Sequence, residues 1–333
     1  MQRRSLVGWM WRHKVATLMI GMVIWWLWPD SDRAHSSPPA QAAVMFGGFV
    51  AIDGNRVVEL EHDGEVRDDL KLASVPSGAR VMGASDRALL GWRDGKQMAF
   101  AFIQNDGALG KPAKFGKRVR RVCEGLATND HQFGLAWTES DGRVWFVHGP
   151  TYAPLALDHD LEAAIAADDG PCWIASAGES LALMWREKRR TMLAVCGKKC
   201  ELAQRAALPA DATPVGVGCA NNHCVVASRS SAGGLQATWI DTSRRTHAAR
   251  WTKPLPSGTR DGRIAITGTG SQVAIAYPTG GAPVVVIANA AGTISAIWQH
   301  AADDVPSIVW SLGRLLVAHH VGGVLRTDSI AVP

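Results

Sequence analysis

Tyrosine is nearly missing from this chain of 333 residues: two stand beside seven Phe and fourteen Trp. Charge is sparse at 20% of residues, no acid precedes Asp30, and no cysteine precedes Cys123. Neither a His-Glu-x-x-His run, a P-loop nor a strand-linked Gly-x-Gly-x-x-Gly occurs. The nearest approach to a Gly-x-Ser-x-Gly elbow, Gly178-Glu179-Ser180-Leu181-Ala182, lacks its second glycine. Each of those motifs positions a nucleophile, a metal or a phosphate. Their absence leaves no catalytic residue, no metal ligand set and no cofactor, and the expectation is a non-enzymatic chain. With 47% apolar residues and a mean hydropathy near zero, a disordered or collagen-like chain is excluded.

What charge there is lies unevenly. Of the net +5, Arg3, Arg4, Arg12 and Lys14 supply four before the first acid, so the remainder is close to neutral. A nucleic-acid partner requires basic side chains gathered on one face, and none is expected. Residues 1–14 read as a basic cytoplasmic N-terminus. Residues 15–28, VATLMIGMVIWWLW, are uncharged and as a helix would span about 21 Å of a hydrocarbon core about 30 Å thick. We read them as a signal anchor, a single transmembrane helix with Arg12 and Lys14 snorkelling to the inner headgroups and Trp25, Trp26 and Trp28 in the outer interface. Membrane lipid is then one partner. Positive charge before the span keeps the N-terminus in the cytoplasm and sends the remainder outside. A cleaved signal peptide, with Ala40-Gln41-Ala42 as its small-residue site, is the alternative, and would leave a secreted chain; a buried helix is a third. Residues 29–43, rich in Ser, Pro and Ala, read as a linker, with folding expected over 44–333.

The exported part repeats itself. Short apolar strands separated by polar or glycine turns recur from Ala88, Gly134, Leu181, Cys224, Val273 and Leu315. Aligning their ends gives Trp92, Trp137, Trp185, Ser228, Tyr277 and His319, at intervals of 45, 48, 43, 49 and 42 residues. The units alternate with period 2 and carry Asp94-Gly95, Asp141-Gly142 and Gly280-Gly281 turns, which marks strands rather than helices. Four strands per unit at this period resemble a β-propeller, whose blades cannot bury either face alone and so stack in a ring. The resemblance covers about 44–333 and implies an all-β propeller of four-stranded blades. Residues 46–72 look like the last three strands of a unit, which favours seven blades over six. A ring is usually closed by strands from both termini sharing one blade, which here would give six blades; seven follow if the N-terminal strands form a blade of their own, and seven is the reading favoured. Two packed β-sandwiches are the competing architecture. The chain is similar to exported or membrane-anchored bacterial propellers with degenerate blades, which implies an inner-membrane location with the propeller in the periplasm. It lacks the Trp-Asp pairs of WD repeats and the tryptophan-docking repeats of quinoprotein dehydrogenases. Thr138 to Trp145 resembles a single sialidase Asp-box turn.

An even number of cysteines in an exported segment reads as disulfides. Cys196 and Cys200 flank the turn after a third strand, and Cys219 and Cys224 the turn between a first and a second. Cys123 and Cys172 hold matching first-strand positions of adjacent units, so that they can pair between blades. Zinc on Cys196, Cys200, Cys219, Cys224 and His223 is the alternative, although the spacings are not those of C-x-x-C sites.

Asp158-His159-Asp160 offers carboxylates beside imidazole, but in a polar loop between blades. His319 and His320 must project from opposite faces of one strand, which suits packing. Lys111, Lys114, Lys117, Arg118, Arg120 and Arg121 form the one basic run of the exported part and read as a solvated outer strand and loop. The recurrent Trp positions suit packing between blades better than a binding mouth. The functional expectation is a membrane-anchored scaffold that binds a protein or peptide. The alternative is a glycan hydrolase or lyase with Asp158, His159, Asp160, His62, His131 and His148 gathered at the mouth.

Overall fold

The computed structural model describes residues 41–332 apart from 46–47, 85–86, 105, 126, 129–131, 151–164, 167–169, 178–179, 188–189, 197–203, 207, 244–246 and 260–261. Residues 1–28 lie outside it, and with them Arg12, Lys14, Trp25, Trp26 and Trp28. Among the described residues no helix is long and apolar enough to cross a membrane.

The chain forms seven antiparallel sheets in sequence order. Blade 1 runs Gln41–Met45, Gly48–Asp53, Arg56–Glu61 and Val66–Lys71, and blade 2 runs Arg80–Ala84, Arg87–Asp94, Gln97–Phe102 and Ala113–Phe115. In blade 3 the inner strand is split into Val119–Val122 and Ala127–Thr128, followed by Gln132–Glu139, Arg143–Pro150 and Ile165–Ala166. Blade 4 is Cys172–Ala177, Ser180–Glu187, Arg190–Cys196 and Gln204–Arg205; blade 5 is Thr213–Ala220, His223–Arg229, Leu235–Asp241 and Ala248–Pro254. Blade 6 is Ala265–Thr269, Gln272–Tyr277, Val284–Ala288 and Ile294–Gln299, and blade 7 has three strands among the described residues, Ser307–Ser311, Arg314–Val321 and Val324–Ala331. Inner strands of neighbouring blades lie against one another, and that of blade 7 lies against that of blade 1. The ring is closed: this is a seven-bladed β-propeller.

There is no single core. Seven apolar clusters fill the seven seams between blades, each built from the facing sides of two sheets. Alternation along a strand produces this directly. In the inner strand of blade 4, Cys172 and Ile174 face blade 3, while Trp173 and Ala175 face blade 5. Trp92, Trp137, Trp185, Ser228, Tyr277 and His319 all fall on second strands, and all but half-buried Trp92 are buried. None of the nine tryptophans after residue 40 is exposed. They pack the seams and present no aromatic mouth. Turn chemistry is local: Gly95 and Gly142 take left-handed φ of 59° and 76° in their hairpins, a conformation that costs glycine little. The Asp-box-like segment is one such hairpin, with the Arg143 amide donating to Asp141 Oδ1 at 3.1 Å.

One boundary is corrected. The first strand begins at Gln41, inside the stretch assigned to the linker, because QAAVM is apolar enough to be the buried inner strand of blade 1. Consequently blade 1 draws all four strands from the N-terminal side and blade 7 all its described strands from the C-terminal side. Among the described residues no blade is shared, which agrees with the seven-blade reading in which the N-terminal strands form their own unit.

Candidate functional site

Inner strands border the channel, so the residues at their starts form one of its mouths. Arg80 opens the inner strand of blade 2, and Arg263 stands two residues ahead of that of blade 6. Asp304 stands three residues ahead of the inner strand of blade 7, and Glu124 lies in the break between the two parts of the inner strand of blade 3. Both arginines are half-buried, whereas Glu124 and Asp304 are exposed.

Their charges act on one another. Burial is the main cause that pushes the Arg80 guanidinium below the usual arginine value, the charge of Arg263 adds to it, and Glu124 opposes both. Burial likewise lowers Arg263, against Asp304 and Glu124. Blades 2 and 6 stand as far apart as a ring of seven allows, so Arg80 and Arg263 influence each other only by reaching into the channel. An arginine cannot shed its proton at ordinary pH. Two cations therefore persist there at a cost in desolvation and repulsion.

Local structure fixes the backbone that carries these side chains. At Glu124 the backbone leaves its own blade. Its N–H donates to Cys172 O at 2.8 Å, and its carbonyl accepts from the Ile174 N–H at 2.9 Å. Gly125 has φ 85°, and a Cβ there would strike the Ile174 carbonyl. The Cys123–Cys172 disulfide, with Cα atoms 4.7 Å apart, clamps the same crossing. Arg229 of blade 5 braces the approach to Arg263 by donating to Thr259 O and Gly262 O, each at 3.0 Å. Gln41 Nε2 donates to Ala79 O at 3.0 Å, beside Arg80. The other oxygen of that amide, Oε1, is buried without a hydrogen-bond partner.

The residues singled out from sequence are placed differently. Cys219 and Cys224 bridge the first hairpin of blade 5, Cys196 is also disulfide-bonded, and Cys200 lies outside the described residues. Thiolates for the zinc alternative are thus not free. Among the described residues no group of metal-ligating side chains gathers. Asp158, His159, Asp160 and His131, and the side chain of His148, lie outside the described residues. His62 sits in the turn between the third and outer strands of blade 1, edge-on to Phe49 at 5.8 Å, away from the mouth. His319 and His320 take opposite faces as expected: His319 packs on Trp298 of blade 6, and His320 Nε2 is 3.1 Å from Asp53 Oδ1 of blade 1. The basic run from Lys111 to Arg121 is exposed throughout, with Lys114 paired to Asp94 at 2.6 Å.

Sequence reasoning missed Arg80, Glu124, Arg263, Gln41 and Asp304. The available signal was positional, a polar residue at the start of an apolar inner strand, which only a settled strand register separates from any surface arginine.

No protein-family model and no curated protein matches the sequence. Among solved structures the chain is similar in fold to the BP39L lectin from Burkholderia pseudomallei, at 14% identity and TM-score 0.59 over 89% of this chain and 96% of that one. It is also similar to a streptogramin B lyase, at 13% identity and TM-score 0.54 over 89% and 94%. RRP9 WD40 repeats match at 11% identity and TM-score 0.55 over 90% and 96%. At these identities the likeness is one of fold.

Proposed function

We propose that this chain is a bacterial propeller anchored in the inner membrane by residues 15–28, displaying its disc in the periplasm as a non-enzymatic scaffold that binds a protein or peptide partner. What supports the binding face is the placement of Arg80, Arg263, Glu124 and Asp304 at or near the starts of inner strands, where their charges act on one another, in a disc whose tryptophans are committed to packing. Polar groups held at a cost inside a concave site are what a binding site needs and a purely structural ring does not. Disulfides support an oxidising compartment, and the uncharged run after Arg12 and Lys14 supports the anchor. Of the residues proposed for the glycan hydrolase or lyase alternative, His62 lies away from the mouth, and the side chains of the other five lie outside the described residues.

The test is cross-linking in native membranes, with a photoreactive residue at Glu124 and a control at exposed Val66 on the outer strand of blade 1. The scaffold reading expects one partner from the mouth position and none from the control; equal products from both would overturn it. Alkaline extraction that leaves the full-length chain in the membrane supports the anchor, and release of a shortened soluble chain rejects it.

A further inference from the structure

In blades 1 to 6 the third strand is covered by an outer one, whereas in blade 7 the third strand, Val324–Ala331, is itself the edge among the described residues. The Gly322-Gly323 turn before it has φ of 59° and 74°, the two-residue kind whose flanking residues, here Val321 and Val324, form a hydrogen-bonded pair. At the other end the Val332 N–H donates to Gly313 O at 3.0 Å, in the same alternation. Val324, Arg326, Asp328 and Ile330 therefore turn their backbone groups inward to the second strand, and Leu325, Thr327 and Ser329 turn theirs outward. Arg314 donates to the Ser329 carbonyl at 3.0 Å. The outward groups of Leu325 and Thr327 have no partner among the described residues. Such an edge is a template for another strand.

Side chains select which strand. Asp328 lies on the blade 6 face, where its Oδ2 accepts from Trp298 Nε1 at 2.8 Å; its side chain is nevertheless 47% exposed. Val324, Arg326 and Ile330 share that face by alternation. Arg326 is exposed and has no hydrogen bond or ion pair among the described residues, and Val324 is 53% exposed. When two copies of this edge meet antiparallel about a two-fold axis, outward-facing residues must oppose outward-facing ones, so the axis passes through a residue. Centring on Arg326 opposes two arginines and centring on Asp328 opposes two aspartates, both repulsive. Centring on Thr327 sets Arg326 opposite Asp328 of the second copy, twice, and Val324 opposite Ile330. These are the closer, non-hydrogen-bonded positions, where cross-strand pairs act most strongly. Thr327 then exchanges both backbone hydrogen bonds with its counterpart, and Leu325 with Ser329, whose carbonyl keeps a second lone pair beside Arg314. We propose that the outer edge of blade 7 is a self-association surface, at which two copies of this chain join residues 324–330 about Thr327 into one six-stranded sheet. The surface lies on the rim, apart from the mouth, and neither requires nor excludes the scaffold reading.

Sedimentation of the full-length chain in non-ionic detergent, over about 1–100 μM, should show a monomer–dimer equilibrium. Thr327→Pro removes an outward N–H that the blade itself does not use, a change edge strands tolerate, and should weaken the dimer at least about tenfold. Arg326→Glu, which brings a glutamate against Asp328, should do the same, and its exposed position keeps the test decisive if the proline variant fails to fold. On oxidation, a mixture of Arg326→Cys and Asp328→Cys chains should give a disulfide-linked dimer that neither variant gives alone. A monomer throughout the range, or a dimer indifferent to Arg326→Glu, overturns the proposal. Self-linkage of the Arg326→Cys chain overturns the register. A photoreactive residue at position 327 in native membranes should yield a dimer of this chain; adducts with a different protein alone would assign the edge to that protein and overturn self-association.

Discussion

The seam between blades 3 and 4 and the seam between blades 7 and 1 solve one problem by different means. At the first, Cys123 and Cys172 are covalently joined, and Glu124 pairs through its backbone with the neighbouring inner strand. At the second, where the two ends of the propeller chain meet, apolar packing and hydrogen bonds that each involve a side chain join the blades. Val309, Leu316 and Ala318 pack on Ala42, Val44 and Phe49. Around them, Ser307 Oγ accepts from the Ala42 N–H at 3.0 Å, Ser329 Oγ donates to His62 O at 2.8 Å, and His320 meets Asp53. A ring is only as closed as its weakest seam. In this one the seam that has no disulfide among the described residues is also the more polar, and blade 7 there lacks a described fourth strand.

The largest expected effect comes from equalising the seams. Replacing Cys123 and Cys172 together by Ala should lower stability by about 4 kcal/mol, the loop-closure value for cross-linked residues 49 apart, as measured by urea denaturation. In the other seam, Leu316→Ala removes a fully buried side chain and should cost about 3 kcal/mol. Hydrogen exchange should then rise first in the inner strands of blades 1 and 7. Exchange rising equally in all blades would show that the seams are not independent.

Asp53→Ala strips a buried imidazole of its partner, and a loss of about 1–3 kcal/mol is expected; replacing both Asp53 and His320 with apolar residues should recover part of it. Acid should act on blade 7 through its other face. Burial holds His319 below the ordinary imidazole value, with Asp328 opposing and His300 and His320 adding. Because the folded-state value is depressed, the unfolded chain binds the proton first. The stability is present above about pH 6.5 and is lost as pH falls below it. Calorimetry between about pH 7.5 and 5.5 should show a falling midpoint, flattened by His319→Phe, with a contribution from His247, which burial shifts in the same direction. The smallest effect belongs to a surface pair: Lys114→Ala, losing a half-exposed contact with Asp94, should change stability by less than about 1 kcal/mol.

The sequence alone determined the repeat. A period near 45 residues, alternation along each strand and glycine at hairpin tips are local properties, and they placed Trp92, Trp137, Trp185, Ser228, Tyr277 and His319 correctly on second strands. Local geometry also sufficed for Cys219 with Cys224, which face each other across one hairpin, and matching repeat positions brought Cys123 to Cys172. The inner strand of blade 1 was harder to read. Gln41 to Met45 follows a Ser/Pro/Ala stretch, and only its position against the inner strands of blades 7 and 2 gives its apolar faces something to cover. The mouth was decided wholly by tertiary structure. Arg80 and Arg263 are 183 positions apart in the sequence and differ from other arginines in nothing but location. Closing seven blades into a ring brings the starts of their inner strands around one channel, and there the two side chains lose water and meet each other's charge. No periodicity or spacing in the chain encodes that encounter, because it depends on the ring being complete.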